Sequence, residues 1–254
     1  MQADTKLDRD VFVRAIAHRG LHDASRKIVE NTAPAFAAAI AKGYGIECDL
    51  RPAADGTPFV FHDAVLERLV DDVGLLGERT PSEIRRLRYR DGGTGILTFA
   101  DFLDLANGRV PVLIEIKSEW QPPEPNFMDA VGQAASAYKG PLALMSFDPA
   151  VMSAMRRLAP DIPRGIVSGD YCGDGWWRDR IDPARAERLC HLLESGPAAP
   201  AFFAYHVGSL PTPVTRFVRE AMGLPLFAWT VRSEADRKRA ATWADAPIFE
   251  GFEP

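Results

Sequence analysis

The chain has 254 residues, 46% of them apolar and 26% charged, with a net charge of −5; that is length enough for a sizeable core and leaves no basic excess to grip nucleic acid through its phosphates. No run approaches the roughly 18 apolar residues of a membrane span, and the polar opening from Met1 to Asp10 lacks the apolar stretch of a secretory signal. Cys48, Cys172 and Cys190 are odd in number and follow no metal-ligand spacing, so a reducing, cytoplasmic setting is expected.

In chain order, short apolar runs predict strands at 12–17, 45–50, 58–62, 110–116, 141–145, 163–167, 200–205, 225–230 and 247–250. Helical patterns fall between most of them, at 32–42, 98–106, 148–158, 182–194, 211–222 and 233–243. The first of these has Thr32 at its N-cap, Pro34 in its first turn and Gly43 as its stop. Such βα alternation implies a largely parallel sheet. The link from 50 to 58 contains the turn pair Asp55-Gly56 and is too short for a helical crossover. Strand 58–62 is therefore expected to fold back on 45–50 as a hairpin, which leaves one βα unit for each strand of a (β/α)8 TIM barrel. One domain over 1–254 is expected, with 63–97 as a small insertion after the second strand, beside the barrel mouth. Within it, Pro81 to Tyr89 reads as a short helix. The few residues after Glu250 leave no full helix behind the last strand.

Four pieces of these apolar strands carry polar residues: Ala17-His18-Arg19-Gly20, Ile46-Glu47-Cys48-Asp49-Leu50, Phe61-His62-Asp63 and Ile114-Glu115-Ile116-Lys117. Burying a carboxylate is costly unless it is paired, hydrogen-bonded or metal-bound. In a strand, residues i and i+2 share a face, so Glu47 projects with Asp49 and Glu115 with Lys117, while Cys48 and Ile116 point away. Converging carboxylates suit a hard divalent cation; the competing reading is a buried ion network in which Glu47 and Asp49 pair with Arg19, Arg51 or Lys117. His18 and His62 each close a strand and can serve together as acid and base. Arginine and lysine beside them suit phosphate oxygens, so phosphoryl chemistry is favoured over a carboxylate substrate. His206 ends its strand at the same mouth, as a structural residue or a substrate contact. Arg237-Lys238-Arg239 reads as a solvated helical face.

These residues lie in text that resembles one known family, the glycerophosphodiester phosphodiesterases. The resemblance is carried by AHRG at 17–20, by ENTAPAFAAAIAKGYGIECDLRPAADGTPFVFHDAVLERL from Glu30 to Leu69, and by VPVLIEIK at 110–117. It thins afterwards to Ser146-Phe147 and Phe227-Ala228-Trp229-Thr230. It implies a (β/α)8 barrel with a small insertion, and metal-dependent hydrolysis of glycerophosphodiesters to glycerol 3-phosphate and an alcohol. Carried onto this sequence, His18 and His62 would be the acid–base pair, with His18 the favoured base. Glu47, Asp49 and Glu115 would ligate Mg²⁺, Ca²⁺ or Mn²⁺. Arg19 and Lys117 would hold the phosphate, and Trp229 would line the substrate pocket. The expected partner is a small glycerophosphodiester, with no nucleic acid. Two departures stand out. The family's closing Thr-Asp is replaced by Pro247-Ile248-Phe249-Glu250, and 168–180 carries Trp176 and Trp177, a pocket wall or simply loop anchors. Two other readings use the same residues: a phospholipase-like phosphodiesterase or lyase on lysophospholipids or inositol lipids, and a non-catalytic glycerophosphodiester-binding protein.

Overall fold

In the computed structural model, which describes residues 5–171, 175 and 177–254, the strands form one nine-stranded sheet. β1 (Ile16–Ala17) pairs in parallel with both β2 (Gly45–Pro52) and β9 (Ala246–Phe249), which closes the sheet into a barrel. β3 (Pro58–Val60) runs antiparallel to β2, with Leu50 opposite Val60, so the short link does make a hairpin outside the parallel ring. β4 (Val112–Ile116), β5 (Leu142–Ser146), β6 (Arg164–Ser168), β7 (Phe202–His206) and β8 (Leu226–Val231) complete the ring in chain order. The TIM barrel expected from the βα alternation is the fold.

α1 (Arg9–Phe12) precedes β1, and α2 (Ala33–Ala41) connects β1 to β2. α3 (Pro81–Ile84) lies in the insertion, and α4 (Phe99–Ala106) leads into β4. α5 (Pro125–Ala137), α6 (Pro149–Leu158) and α7 (Pro183–Cys190) follow on the next three crossovers. α8 (Pro213–Arg216) continues into a π-helical turn at Phe217–Ala221, and α9 (Glu234–Trp243) joins β8 to β9. Strand parity sorts the core into two shells. Cys48, Ile114, Ile116 and Leu144 pack outward against Phe36, Phe102, Phe127 and Met152 of the helices. Leu113, Met145, Val167, Phe202, Phe227 and Ile248 fill the barrel interior. Gly165 makes room there, since a Cβ on it would sit 2.3 Å from the Phe202 ring.

Three elements differ from the sequence reading. The strand expected at 12–17 shrinks to Ile16–Ala17, because Asp8 caps α1 by accepting from the Asp10 and Val11 amides. Phe12 then joins Leu7 against the interior shell, where a strand would have pointed it elsewhere. The sequence reading missed α5 altogether. Its N-cap is Glu124, which accepts from the Asn126 and Phe127 amides, and glutamate is not among the usual cap residues. Gly132 also weakens the pattern, yet it lets the helix approach α6: a Cβ there would meet Leu158 at 3.2 Å. The helix expected from Pro81 to Tyr89 ends at Ile84, after which Tyr89 turns in to bridge with Val70.

Leu66, Val70, Leu76, Ile84, Tyr89 and Ile96 of the insertion pack with Phe59 and Phe61 into a second small core. α3 is held by a capping box in which Thr80 and Glu83 satisfy each other's backbone amides. No helix among the described residues is long and apolar enough to cross a membrane.

Candidate active site

The site begins where β1 ends. The His18 amide donates to the Phe249 carbonyl at 2.9 Å, so the seam between the first and last strands sets the histidine in place. Arg19 and Gly20 then both take left-handed backbone angles, φ 55° and φ 79°. For a non-glycine residue this conformation costs about 1–2 kcal/mol. It turns the Arg19 amide onto Glu47 Oε2 at 2.9 Å. Gly20 is required by packing as well, because a Cβ would lie 2.9 Å from Ala35 and Phe36.

On β2, Glu47 and Asp49 face inward together, and the sheet register sets Asp49 beside Glu115 of β4. One carboxylate oxygen from each of Glu47, Asp49 and Glu115 lies within 4.8 Å of the others, and all three residues are buried. Lys117 Nζ stands 2.5 Å from Glu115 Oε1 and 2.8 Å from Asp49 Oδ1. The Arg19 guanidinium sits between Glu30 at 2.7 Å and Asp49 at 3.3 Å. Asn31 Nδ2 donates to Asp49 Oδ2 at 2.8 Å. The ion network and the carboxylate cluster are thus both present. Arg51 is not part of that network; it donates to the His62 carbonyl at 2.6 Å and pairs with Glu119.

Burial, together with Asp49 and Glu115, pushes the Glu47 carboxyl well above the usual range. Burial acts the same way on Asp49, but Lys117, His62 and Arg19 outweigh it and hold that carboxyl well below. Lys117 is raised, burial notwithstanding, by Asp49 and Glu115. The residues fit a cation on a structural observation: Glu47 Oε1 is buried and has no hydrogen-bond partner. An orphaned carboxylate oxygen beside two more carboxylates suits a hard divalent cation.

Both histidines are braced by carboxylates. His18 Nδ1 bonds Glu250 Oε2, and its Nε2 lies 3.9 Å from Glu47 Oε2. Burial lowers the His18 pKa below its ordinary value despite the opposing pull of Glu250. His62 Nδ1 lies 2.7 Å from Asp63 Oδ1. Asp63 in turn meets Arg68 Nε at 2.5 Å, and Arg68 reaches Glu30 with its other two nitrogens at 2.7 and 2.9 Å. The His18 side chain is 10% exposed and that of His62 30%, so the first is enclosed and the second stands at the rim.

Trp229 borders a narrow cavity shared with His18, Glu47 and Glu115 above Met145, Val167 and Ile248. Its indole donates to the Ser168 carbonyl at 3.0 Å and meets Phe147 edge-on at 5.1 Å. His206 is beside it, ring to ring at 5.3 Å, with Nδ1 3.1 Å from Ser209 Oγ. Trp177 packs with Trp120 and Tyr171 around Ile181, Ala186 and Leu189, which makes it a loop anchor. Trp176 and Cys172 lie outside the described residues. Arg237 pairs with Glu234 on an exposed face, as its charge pattern suggests.

All eight residues singled out from sequence, His18, His62, Glu47, Asp49, Glu115, Arg19, Lys117 and Trp229, border this one region at the C-terminal ends of the strands. Sequence reasoning missed Glu30, Asn31, Asp63, Arg68 and Glu250. They stand within the quoted segments, but they sit in turns, where no periodicity says which way a side chain points.

A profile of the glycerophosphoryl diester phosphodiesterase family matches residues 18–249. Glycerophosphodiester phosphodiesterase 1 of Bos taurus is 28% identical over 260 residues, covering 87% of this chain and 72% of its own. An Oleispira antarctica phosphodiesterase, solved with its product sn-glycerol-3-phosphate, superposes with a TM-score of 0.71 at 22% identity, over 93% of this chain and 92% of that one. The Thermotoga maritima glycerophosphodiester phosphodiesterase gives 0.68 at 23%, over 93% of each. With the family match spanning the barrel from His18 to Phe249, the chain belongs to the glycerophosphoryl diester phosphodiesterase family.

Proposed function

We propose that this protein hydrolyses glycerophosphodiesters to glycerol 3-phosphate and an alcohol, with a divalent cation held by Glu47, Asp49 and Glu115. The observation that carries this reading is the buried carboxylate group, with its orphaned Glu47 oxygen, set between two carboxylate-braced histidines. A cation bound there supplies Lewis-acid charge to the non-bridging phosphate oxygens. Arg19 and Lys117 add fixed positive charge where negative charge develops on the phosphoryl group. Both are already oriented by carboxylates, so little reorganisation accompanies substrate entry.

His18, enclosed beside the cluster, takes the proton of the attacking hydroxyl at Nε2. His62, at the open rim where an alcohol can depart, gives its proton to the leaving oxygen. The nucleophile is water or the neighbouring glycerol hydroxyl, the latter passing through a cyclic phosphate that water then opens. Trp229 supplies an aromatic wall to the pocket, held in place by its indole N–H on the Ser168 carbonyl.

The test is glycerol 3-phosphate release from a panel of glycerophosphodiesters (choline, ethanolamine, glycerol and inositol) with and without metal. Activity is expected to vanish with EDTA and return with Mg²⁺, Ca²⁺ or Mn²⁺. Full activity in EDTA overturns the cation, and binding without product at every metal concentration overturns the hydrolase.

A further inference from the structure

We propose that Glu250, fixed by Arg232, is a positioning residue that sets the tautomer and orientation of His18. A neutral imidazole carries one N–H, and the partner of one ring nitrogen decides which nitrogen holds it. Glu250 Oε2 meets Nδ1, and an ionised carboxylate only accepts. The proton therefore resides on Nδ1, and the Nε2 lone pair faces the acidic cluster, 3.9 Å from Glu47. That is the nitrogen the proposed hydrolysis needs free, and the inference rests on that reading.

Glu250 follows β9 rather than lying in it, so its aim requires other support. Its backbone amide donates to the Val231 carbonyl at 3.1 Å. Arg232 Nε, one residue further along, binds Oε1 at 2.5 Å, while His22 Nε2 approaches Oε2 at 3.5 Å. Each carboxylate oxygen thus has its own cationic or imidazole partner. A glutamate has more rotatable bonds than the aspartate that braces His62, and Arg232 removes that freedom. The Arg232 side chain is 57% exposed, so it can be replaced without opening the core.

The experiment combines kinetics with ¹⁵N-histidine NMR at fixed pH, before and after Mg²⁺ addition, on the full chain. The His18 signals are identified by their loss in His18→Ala. In the wild type they are expected to show a protonated Nδ1 and a bare Nε2. In Glu250→Gln the amide can donate to Nδ1, so the tautomer reverses or mixes, and kcat falls ~10²- to 10⁴-fold while KM stays within about threefold. Arg232→Gln lowers kcat by roughly tenfold, and the double variant is no slower than Glu250→Gln alone, because both act through one group. A wild-type tautomer or a wild-type kcat in Glu250→Gln overturns the proposal, as does an Arg232 effect that multiplies in full. If Glu250→Gln fails to fold, Arg232→Gln carries the same test, since an unchanged tautomer and kcat there overturn the clamp. Absence of glycerol 3-phosphate release by the wild type speaks against the hydrolase instead, and the tautomer is still read without turnover.

Discussion

Lys117 lies between Asp49 and Glu115, and Asp49 leans on Asn31 and Arg19 as well. Removing one charge from such a buried group strands the others, which confuses a catalytic loss with a folding loss. The histidines are cleaner probes, because each hangs from one carboxylate at the edge of the cluster. His18→Ala and His62→Ala are each expected to cut turnover by ~10²- to 10⁴-fold with little change in melting temperature. Assay of both variants alongside their thermal melts checks this, and near-normal turnover in either removes it from the pair. Period-two alternation made Glu47, Asp49, Glu115 and Lys117 legible, because a strand admits only two faces. Glu250 was illegible for the opposite reason: it contacts His18 across 232 positions of chain, with no repeat to announce it.

At the scale of elements, one side chain of the insertion reaches both halves of the site. Arg68 binds both Glu30, which holds Arg19, and Asp63, which holds His62. Arg68→Ala is therefore expected to lower kcat by about 10- to 100-fold, the scale of losing a supporting partner, while the small core around Phe61 and Tyr89 stays packed. Steady-state kinetics with near-UV circular dichroism checks both halves. Strands and crossovers were readable because alternation and cap residues are local: the helix expected at 98–106 starts on Thr98, which caps α4 through a capping box with Asp101. Thr32 occupies the N-cap of α2, but its hydroxyl donates to the Val29 carbonyl instead. α1 and α5 were not readable, since Phe12 is placed by the barrel interior and α5 relies on a glutamate cap and a glycine that serves its neighbour.

For the molecule as a whole, the same links give stability a dependence on pH. Burial works to raise the carboxyls of Glu30 and Asp63, but Arg68 and Arg19 for the first, and His62 and Arg68 for the second, hold them below their ordinary values of 4.5 and 3.8. A depressed folded pKa means the unfolded chain binds more protons, so stability rises with pH across that interval. The contribution is fully present above about pH 4.5 and is lost as pH falls through the folded values. The melting temperature of the wild type is thus expected to exceed that of Arg68→Ala at neutral pH and to converge on it in acid; a gap constant from pH 7 to pH 3 would contradict the link. The closure of the barrel carries a different consequence. β1 is two residues long and is bonded on one side to a strand near the start of the chain and on the other to the last strand. During synthesis, Glu47, Asp49 and Glu115 emerge well before Phe249, the residue whose carbonyl anchors the His18 amide, and before Glu250, which braces its ring. A nascent chain short of that point holds the acidic residues with His18 not yet seated, so the site is assembled only when β9 docks on β1, in a single event.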